Sequence, residues 1–302
     1  MVPNHIVLLP RRDNLRGRRS MIVIFGASTN IGIGLAEKLN RAGKLTRSVF
    51  HTLRIGDTLT SAVADLNSGV GVSEALADAK IVVSCAHARY TQRILEMLPP
   101  SVQKLVLMGS AWRYSGIENP RADEVRAAEK EFIASGRDGV MLHPTMIYGG
   151  RQENNILRLL AFIQRFPVIP APGGGSQRVQ PIYVDDVVAA LHAAVNRTWH
   201  GPNIVPLAGP PLSWREMVRL CSMAIGVHRP IVSVPAAPIV VALNSLRLIG
   251  ITAIDPAVLK RFAEDVNIPV VTMQEQLSVL PRDFQTGIAA AVANWRRSGQ
   301  LP

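Results

Sequence analysis

A glycine-containing turn near the start of the chain has the residue types and spacing of a phosphate-binding site. The stretch GASTNIG, residues 26–32, follows the apolar run Met21–Phe25 and precedes a pattern typical of an amphipathic helix. Backbone amides at the N-terminus of such a helix can bind the pyrophosphate of a dinucleotide. Gly26 and Gly32 fit this role, and Thr29 stands where a third glycine is usual. A helix cap without a ligand is the alternative interpretation.

The end of the second predicted strand bears on which dinucleotide would bind. An acidic residue about 20 positions beyond such a turn usually holds the ribose of NAD. This chain has Phe50 and His51 there, with Arg47 and Arg54 nearby. Arginine side chains could hold the 2′-phosphate of NADP, which gives a slight preference for NADP over NAD. Solvent-facing arginines are an equal alternative.

Short apolar strands and amphipathic helices alternate around this turn. The predicted strands cover residues 21–25, 47–52, 81–85, 104–108 and 139–143. The predicted helices cover residues 31–41, 73–79, 91–97 and 122–134. Buried strands rich in Val, Ile and Leu that are separated by helices are typical of a parallel sheet covered on both faces. The sequence therefore predicts an α/β fold with a doubly wound parallel sheet.

The pattern changes after Tyr148. A predicted helix over residues 154–166 leads into a loop rich in proline and glycine, PVIPAPGGGSQRVQP. Asp185 or Asp186 is suited to cap the helix that follows, and Ser213 has the glutamate three positions later that completes a capping box.

Composition limits the classes of function. The chain has 302 residues, 48% of them hydrophobic, which is enough for a full core. Its two cysteines, Cys85 and Cys221, lack the spacing of a zinc site or a disulfide framework, so we expect no metal and a cytoplasmic location.

The net charge is +11, and residues 1–20 hold five arginines against one aspartate. We expect a solvated basic surface and no nucleic-acid partner; binding through the basic residues 1–20 would predict strong salt dependence.

Because Met21 opens the first strand directly, residues 1–20 are interpreted as a basic N-terminal extension or as a misassigned start. The extension lacks the long apolar region of a signal peptide and is only weakly similar to a transit peptide. The most apolar later segment, residues 238–251, contains Asn244 and Arg247 and falls short of the roughly 20 apolar residues that a bilayer span needs. We expect no membrane span.

A series of motifs resembles one enzyme family along most of the chain. They come in the order GASTNIG, ADL, IVVSCA, LVLMGSAWRY, GVMLHPTMIYGG, QPIYVDDVVAAL, NIVPLAGPPLSWREM and FQTGIAAAVANW. This order is similar to that of the extended short-chain dehydrogenase/reductases, the NAD-dependent epimerase/dehydratases. The form QPIYVDD and the altered centre most resemble the atypical branch, which includes the nucleotide-binding accessory subunit of respiratory complex I.

The resemblance implies a Rossmann NAD(P)-binding domain over residues 21–150 and a smaller substrate lobe. Residues 151–302 would form mainly this lobe, with residues 179–210 returning to the Rossmann domain. The residues implied to contact the cofactor lie in the phosphate turn, after the central strands and in the nicotinamide pocket. They are Gly26, Ser28, Thr29, Asn30, Ile31, Gly32, Arg54, Asp65, Leu66, Cys85, Ala86, His87, Pro144, Thr145, Met146 and Ile147.

The catalytic positions of the family are only partly kept. Active members use a tyrosine as general acid and base, a lysine four residues later that lowers its pKa, and a serine that binds the substrate oxygen. The resemblance implies Ser110 as this serine but puts Arg121 and Val125 at the tyrosine and lysine positions. Tyr114 matches a different tyrosine of the family and could still reach the pocket. Ser110 and Tyr114 are the predicted catalytic residues, with a water as the alternative to Tyr114.

Other side chains have both a functional and a structural interpretation. Arg126 or Lys130 could replace the missing lysine, although a solvated charge on an amphipathic helix is the ordinary alternative. His87 lies at the carboxyl end of a predicted central strand, where open α/β sheets bind ligands, or is a structural histidine. His143 stands where an arginine is frequent and is interpreted as structural. Arg178 could pair with a substrate phosphate or be an exposed loop residue.

These features predict an NAD(P)-dependent oxidoreductase of the epimerase, dehydratase or reductase type. Its substrate would be a small molecule, either a nucleotide sugar or a small carbonyl, and the protein would be a monomer or a homodimer. The alternative is a non-catalytic NAD(P)H-binding redox sensor or assembly protein, which the missing tyrosine and lysine favour.

Overall fold

The computed structural model describes residues 20–52, 61–151, 154–235 and 267–301. Arg54, most of the basic extension and the apolar segment 238–251 lie outside the described residues. The sequence-based predictions for those positions stay predictions.

The described strands are numbered in chain order. They are β1 (Met21–Phe25), β2 (Thr46–Phe50), β3 (Ser61–Val63), β4 (Ala79–Ser84), β5 (Lys104–Met108), β6 (Gly139–Pro144), β7 (Ile147–Tyr148), β8 (Ile169–Pro172), β9 (Arg178–Val179), β10 (Ile182–Tyr183), β11 (Pro202–Leu207), β12 (Leu212–Ser213) and β13 (Ile231–Val234). Seven of them form a parallel sheet in the order β11-β6-β5-β4-β1-β2-β3. From β3 to β6 this is the doubly wound order of dinucleotide-binding domains, so the predicted fold class is confirmed.

The described α-helices connect these strands or follow them. They are α1 (Asn30–Arg41), α2 (Val72–Leu76), α3 (Thr91–Glu96), α4 (Pro120–Ala134), α5 (Asn155–Arg165), α6 (Val184–Asn196), α7 (Trp214–Ile225), α8 (Val271–Leu277) and α9 (Phe284–Arg297). Most predicted elements are present with ends shifted by one to three residues. The start of α4 moves to Pro120 because Asn119 caps it, its side-chain oxygen accepting from the Arg121 amide at 2.8 Å.

Alternate residues of β1 face two separate cores. Ile22 and Ile24 pack with Leu35 of α1 and Leu191 of α6 on one face of the sheet. Val23 and Phe25 pack on the other face with the apolar sides of α2, α3 and α4. All five residues of β1 are buried. The strand that leads into the phosphate turn is therefore held from both sides.

One predicted cap is wrong and another is confirmed. Helix α6 begins after Tyr183, and neither Asp185 nor Asp186 caps it; both lie in its first turn. Buried Asp186 instead pairs with Arg282, with Nη2 and Oδ1 2.8 Å apart. The Ser213 side chain caps α7 by accepting from the Glu216 amide at 3.1 Å, as predicted.

A third core joins the remaining helices. Helices α5, α7 and α9 pack around Tyr148, Leu160 and Trp295, which are almost completely buried. Strand β11 is an edge strand of the seven-stranded sheet, and α6 packs against α1. The chain from α6 to β11 therefore packs with the strands and helices of the first half of the chain. Within the described part of the chain, no helix is both long and apolar enough for a membrane span.

Candidate functional site

The turn after β1 has the backbone geometry of a close phosphate cradle. Gly26 adopts φ +70°, and a Cβ there would lie 2.7 Å from the Ala86 nitrogen at the end of β4. A Cβ on Gly32 would lie 2.4 Å from the Gly26 oxygen. Real Cβ atoms do not tolerate such contacts with backbone, so both positions need glycine. The turn therefore sits directly on the carboxyl end of the sheet, where α/β folds bind ligands.

The Thr29 side chain stabilises the turn through two hydrogen bonds. Its hydroxyl donates to the Gly26 oxygen at 2.8 Å and accepts from the Gly32 amide at 3.0 Å. Thr29 is thus the N-cap of α1, and its hydroxyl proton is used inside the turn. The first-turn amides of Asn30 and Ile31 have no acceptor among the described residues. These amides are the donors that could meet a phosphate.

The Asn30 side chain braces the turn against a distant loop. Its Oδ1 accepts from the Arg151 amide at 3.1 Å, and a Cβ on Gly150 would lie 2.3 Å from its Nδ2. The indole of Trp295 in α9 donates to the Gly150 oxygen at 2.7 Å. Contacts therefore connect the C-terminal helix to the phosphate turn, and Oδ1 of Asn30 is used in them.

Asp65, which is predicted to lie at the adenine, accepts hydrogen bonds from the loop that follows it. Its carboxylate accepts from the Asn67 amide at 2.8 Å and from the Ser68 hydroxyl at 2.9 Å. These hydrogen bonds, that from the Asn67 amide foremost, lower the pKa of Asp65. The His51 ring, at the end of β2, lies 3.7 Å from the same carboxylate. Leu66 packs partly against the core under α2.

The segment after β4 is fixed by its own backbone. The Cys85 amide donates to the Phe25 oxygen at 2.9 Å, and burial raises the pKa of the Cys85 thiol to about 12. His87 caps the short helical turn that follows, its Nδ1 accepting from the Arg89 amide at 3.4 Å. The Glu124 carboxylate of α4 lies 3.5 Å from the same nitrogen. The structural interpretation of His87 is thus favoured by its contacts.

Arg47 does not contribute to a cofactor site. It lies near the start of β2, paired with Val23, away from the carboxyl end of the sheet. Its guanidinium donates to the Ala75 oxygen at 2.8 Å and pairs with Asp78 at 2.6 Å. Arg47 therefore does not favour NADP, because its guanidinium is bound to a carbonyl of α2 and to Asp78, which follows that helix. Arg54 lies outside the described residues.

Ser110 follows β5 at the same edge of the sheet. Its backbone amide donates to Nδ1 of His143 at 3.0 Å. Its hydroxyl oxygen accepts from the Trp112 amide at 3.3 Å and so caps the turn Ala111–Tyr114. The oxygen is held by this contact, and the hydroxyl proton can point towards a substrate oxygen.

A buried ionic network supports Ser110, and sequence reasoning did not find it. His143, completely buried, contacts Glu129 with Nε2 and Oε2 3.0 Å apart. Arg113 Nε donates to the other oxygen of Glu129 at 2.8 Å. Two signals were present: Glu129 shares a helix face with buried Val125, and His143 interrupts an apolar strand.

Hydrogen bonding decides the charge of Glu129. Burial opposes ionisation, but hydrogen bonds from His143 and Arg113 outweigh it and lower the pKa of Glu129. The network therefore contains a carboxylate with both oxygens paired, which is the form that a buried glutamate needs.

Acid titration should reveal these pairings. Because the pKa of Glu129 is lower in the folded than in the unfolded protein, its contribution to stability is full above the unfolded pKa and is lost as the pH falls through the folded pKa. Glu129→Gln should lower the free energy of unfolding at pH 7, and the deficit should narrow as the pH falls below about 4. Urea unfolding over this range measures it. A deficit that is independent of pH would contradict the assignment.

Tyr114 lies beside this network. Its ring contacts the His143 ring edge to face, with centroids 5.8 Å apart, and the side chain is 38% exposed. Burial and the Glu129 carboxylate raise the pKa of Tyr114, and Arg113 only partly offsets them. The phenol therefore stays neutral near pH 7, so it can donate a proton or a hydrogen bond but is a poor base.

The positions implied for the missing tyrosine and lysine hold no substitute. Arg121 is exposed at the start of α4, and Val125 is buried in the core. Arg126 pairs with Asp123 at 3.0 Å and donates to the Ser115 oxygen. Lys130 is exposed on the outer side of the helix. Arg126 is therefore held by Asp123 and the Ser115 carbonyl, and the solvated interpretation fits Lys130.

The predicted nicotinamide segment, residues 144–147, links two sheets. The Thr145 amide donates to the Leu207 oxygen at 2.8 Å, and its hydroxyl donates to the Gln180 oxygen. The Met146 oxygen accepts from the Ile182 amide at 2.9 Å, and Ile147 begins β7. All three side chains of residues 145–147 are partly exposed beside the carboxyl end of β6.

Arg178 lies in β9, outside the seven-stranded sheet. It is exposed in β9 and pairs across an antiparallel bridge with Ser213 at the start of α7. Gln180, two residues on, is buried, and its amide donates to the Ile268 oxygen at 2.8 Å. No group of three metal-ligating side chains occurs within residues 20–52, 61–151, 154–235 and 267–301.

Solved structures of nucleotide-sugar enzymes have the same fold. The dTDP-glucose 4,6-dehydratase of Bacillus anthracis in complex with NAD has a TM-score of 0.72 at 14% identity, over 93% of this chain and 98% of that one. The UDP-glucuronic acid 4-epimerase of Bacillus cereus in complex with UDP-glucuronic acid and NAD has a TM-score of 0.71 at 13% identity, over 92% and 99%. The UDP-glucose 4-epimerase of Thermotoga maritima with UDP-glucose has a TM-score of 0.71 at 15% identity, over 92% and 99%. These likenesses show that this chain shares the fold of these enzymes.

Sequence relatives are distant. NADH dehydrogenase (ubiquinone) 1 alpha subcomplex subunit 9 of Arabidopsis thaliana mitochondria is 23% identical over 267 residues, 75% of this chain and 66% of the relative. An uncharacterised protein of Sinorhizobium fredii is 21% identical over 189 residues, 60% of this chain and 48% of the relative. The chain thus spans less than two thirds of the length of either relative. No family model matches the chain. The Arabidopsis match supports the resemblance to the atypical branch.

Proposed function

We propose that this chain binds NAD or NADP at the turn of residues 26–32 and is an oxidoreductase of the epimerase, dehydratase or reductase type. The observation that carries the proposal is the turn itself. Gly26 and Gly32 bring the backbone against the sheet edge, and the amides of Asn30 and Ile31 have no acceptor among the described residues. A pyrophosphate supplies the acceptors that these amides lack and the charge that the helix N-terminus favours.

The remaining cofactor residues would follow the ligand along the sheet edge. Asp65 and Leu66 would lie at the adenine, residues 85–87 at the ribose side, and residues 144–147 at the nicotinamide. Ser28 belongs to the phosphate turn. The slight preference for NADP now depends on Arg54, since Arg47 is bound to Asp78.

The chemistry would need few groups from the protein. The bound dinucleotide supplies or accepts a hydride. Ser110 orients the substrate oxygen by donating its hydroxyl proton, since its oxygen already accepts from Trp112. Neutral Tyr114, or a water beside it, delivers the proton that a carbonyl oxygen gains on reduction. Because the pKa of Tyr114 is raised, its phenol is protonated near pH 7 and available as the donor, and it releases this proton less readily than a free tyrosine.

The proposed substrate class is nucleotide sugars, with small carbonyls as the second class. Solved proteins of this fold include complexes with UDP-glucose and UDP-glucuronic acid. In this chain the second lobe, mainly residues 151–302, would hold the substrate, and exposed Arg178 would pair with its phosphates.

A second candidate function is a non-catalytic NAD(P)H-binding redox sensor or assembly protein. The specific observation in its favour is in α4, where the two residues that the resemblance implies at the tyrosine and lysine positions are exposed Arg121 and buried Val125. The distant likeness to a subunit of NADH dehydrogenase is compatible with this role.

Cofactor titration tests the proposal and its alternative. We expect NADH or NADPH fluorescence to change on binding with a dissociation constant well below 1 mM, and the tighter of the two identifies the cofactor. Absence of binding by both at millimolar concentration would contradict both functions. Hydride exchange with a panel of nucleotide sugars and small carbonyls then separates them: binding without turnover on any compound favours the sensor.

A further inference from the structure

We infer that Glu129 and His143 are positioning residues for Ser110, and that His143 acts as a neutral imidazole with its proton on Nε2. The inference deepens the proposed function, because Ser110 is the residue that would orient the substrate oxygen. The assignment of the His143 tautomer depends only on the contacts among Ser110, His143 and Glu129.

The tautomer follows from the partners of the ring. The Ser110 amide is a donor and points at Nδ1 from 3.0 Å, so Nδ1 must present a lone pair. The proton then belongs on Nε2, which lies 3.0 Å from the Glu129 carboxylate, an acceptor. Because the His143 side chain is completely buried, no bulk water competes for either nitrogen. A doubly protonated ring would set two donors against each other at Nδ1.

Glu129 fixes the ring in this state through both of its oxygens. Oε2 accepts from His143 and Oε1 accepts from Arg113 Nε at 2.8 Å. An ionised carboxylate has acceptors for both donors. Glu129 comes from α4, His143 from β6, and Arg113 from the helical turn that Ser110 itself caps. The network therefore joins three elements around one serine.

Close packing transmits the ring position to the serine. A Cβ on Gly109 would lie 2.2 Å from Nδ1 of His143, so the imidazole rests directly on the backbone before Ser110. The Ser110 amide is held by the ring, and its hydroxyl oxygen is held by the Trp112 amide. With the amide and the hydroxyl oxygen both held in place, the hydroxyl proton is left for a hydrogen bond to a substrate oxygen.

Glu129→Gln tests the positioning role with little change of shape. The amide has one acceptor oxygen and one donor nitrogen, so it cannot accept from both Arg113 and His143. We expect the 15N and 1H signals of the His143 ring and of the Ser110 amide to shift. We expect turnover by the active holoenzyme to fall on the order of 100-fold while the dissociation constant of the dinucleotide changes less than about twofold.

Glu131→Gln is the matched control, because it removes the same charge from the same helix without touching the network. It should leave the His143 and Ser110 signals and the turnover unchanged. Full turnover in Glu129→Gln, or an equal loss in Glu131→Gln, would overturn the positioning role.

The wild-type spectrum provides a test that needs neither a variant nor a cofactor. Histidine side-chain 15N shifts should identify His143 as the Nε2–H tautomer. A proton on Nδ1 would overturn the inference even if the dinucleotide binds. If no dinucleotide binds but the tautomer is found, the proposed function fails and the network assignment stands.

Discussion

Gly26→Ala should abolish dinucleotide binding and destabilise the fold. An alanine at φ +70° costs about 1 kcal/mol, because L-residues disfavour this conformation. The new Cβ would also meet the backbone of Cys85 and Ala86 at 2.7 Å, which adds about 1–3 kcal/mol of overpacking. To relieve the collision the turn must lift from the sheet and carry the α1 amides away from the phosphate position. Fluorescence titration with NADH and NADPH and urea unfolding measure the two effects.

Gly43→Ala is the matched control for this variant. Gly43 has nearly the same conformation, φ +69°, but a Cβ there would have nothing within 4 Å. It should therefore lose only the conformational part, about 1 kcal/mol, and keep full dinucleotide affinity. Equal effects of the two substitutions on binding would mean that the contact of Gly26 with β4 does not shape the site.

Replacing Trp295 should give the largest loss of stability among substitutions in the core formed by α5, α7 and α9. Its side chain is 1% exposed in the core formed by α5, α7 and α9, so Trp295→Ala should cost about 4 kcal/mol.

Trp295→Phe keeps most of the ring but removes the hydrogen bond to the Gly150 oxygen, which leaves a carbonyl unpaired at a cost of about 1–3 kcal/mol. Because Gly150 packs on Asn30, we expect this milder variant also to weaken dinucleotide binding about fivefold, roughly 1 kcal/mol.

Trp199→Phe separates stability from the contact with the phosphate turn. Trp199 is 5% exposed, and its indole donates to the Ala194 oxygen at 2.9 Å, so the substitution removes the same kind of hydrogen bond. It belongs to the core between α6 and the sheet, away from Gly150. Its unfolding free energy should fall by a similar amount with no change in affinity. A loss of affinity in both phenylalanine variants would assign the effect to general destabilisation.

The phosphate turn illustrates what local sequence can predict. Gly26 and Gly32 were recognised because a strand, a turn and a helix come in order, and backbone geometry of this kind depends on neighbouring residues. The role of Thr29 was not predicted. Its hydroxyl is used inside the turn, by Gly26 and Gly32, each three residues away in the sequence.

The errors concern side chains whose partners are far away in sequence. Asp186 was expected to cap α6, but its carboxylate binds Arg282, 96 residues later. Arg47 was considered for the 2′-phosphate, but it binds Asp78 across the neighbouring helix. Charged groups choose partners by proximity after packing, and nothing near either residue in the sequence indicates which partner that will be.

By itself the sequence determined the doubly wound sheet, the order of its elements and the position of the phosphate turn. Apolar periodicity, helix caps and glycine positions are local properties, so the residues around β1 and α1 carry them wherever the chain folds. Only the tertiary structure decided the surroundings of Ser110. Glu129 and His143 lie 14 residues apart on a helix and a strand, and they meet because α4 packs beside β6 and excludes water from the pair. Where water is excluded, the carboxylate and the imidazole must find their hydrogen-bond partners in each other. The order of residues in the sequence does not specify this pairing.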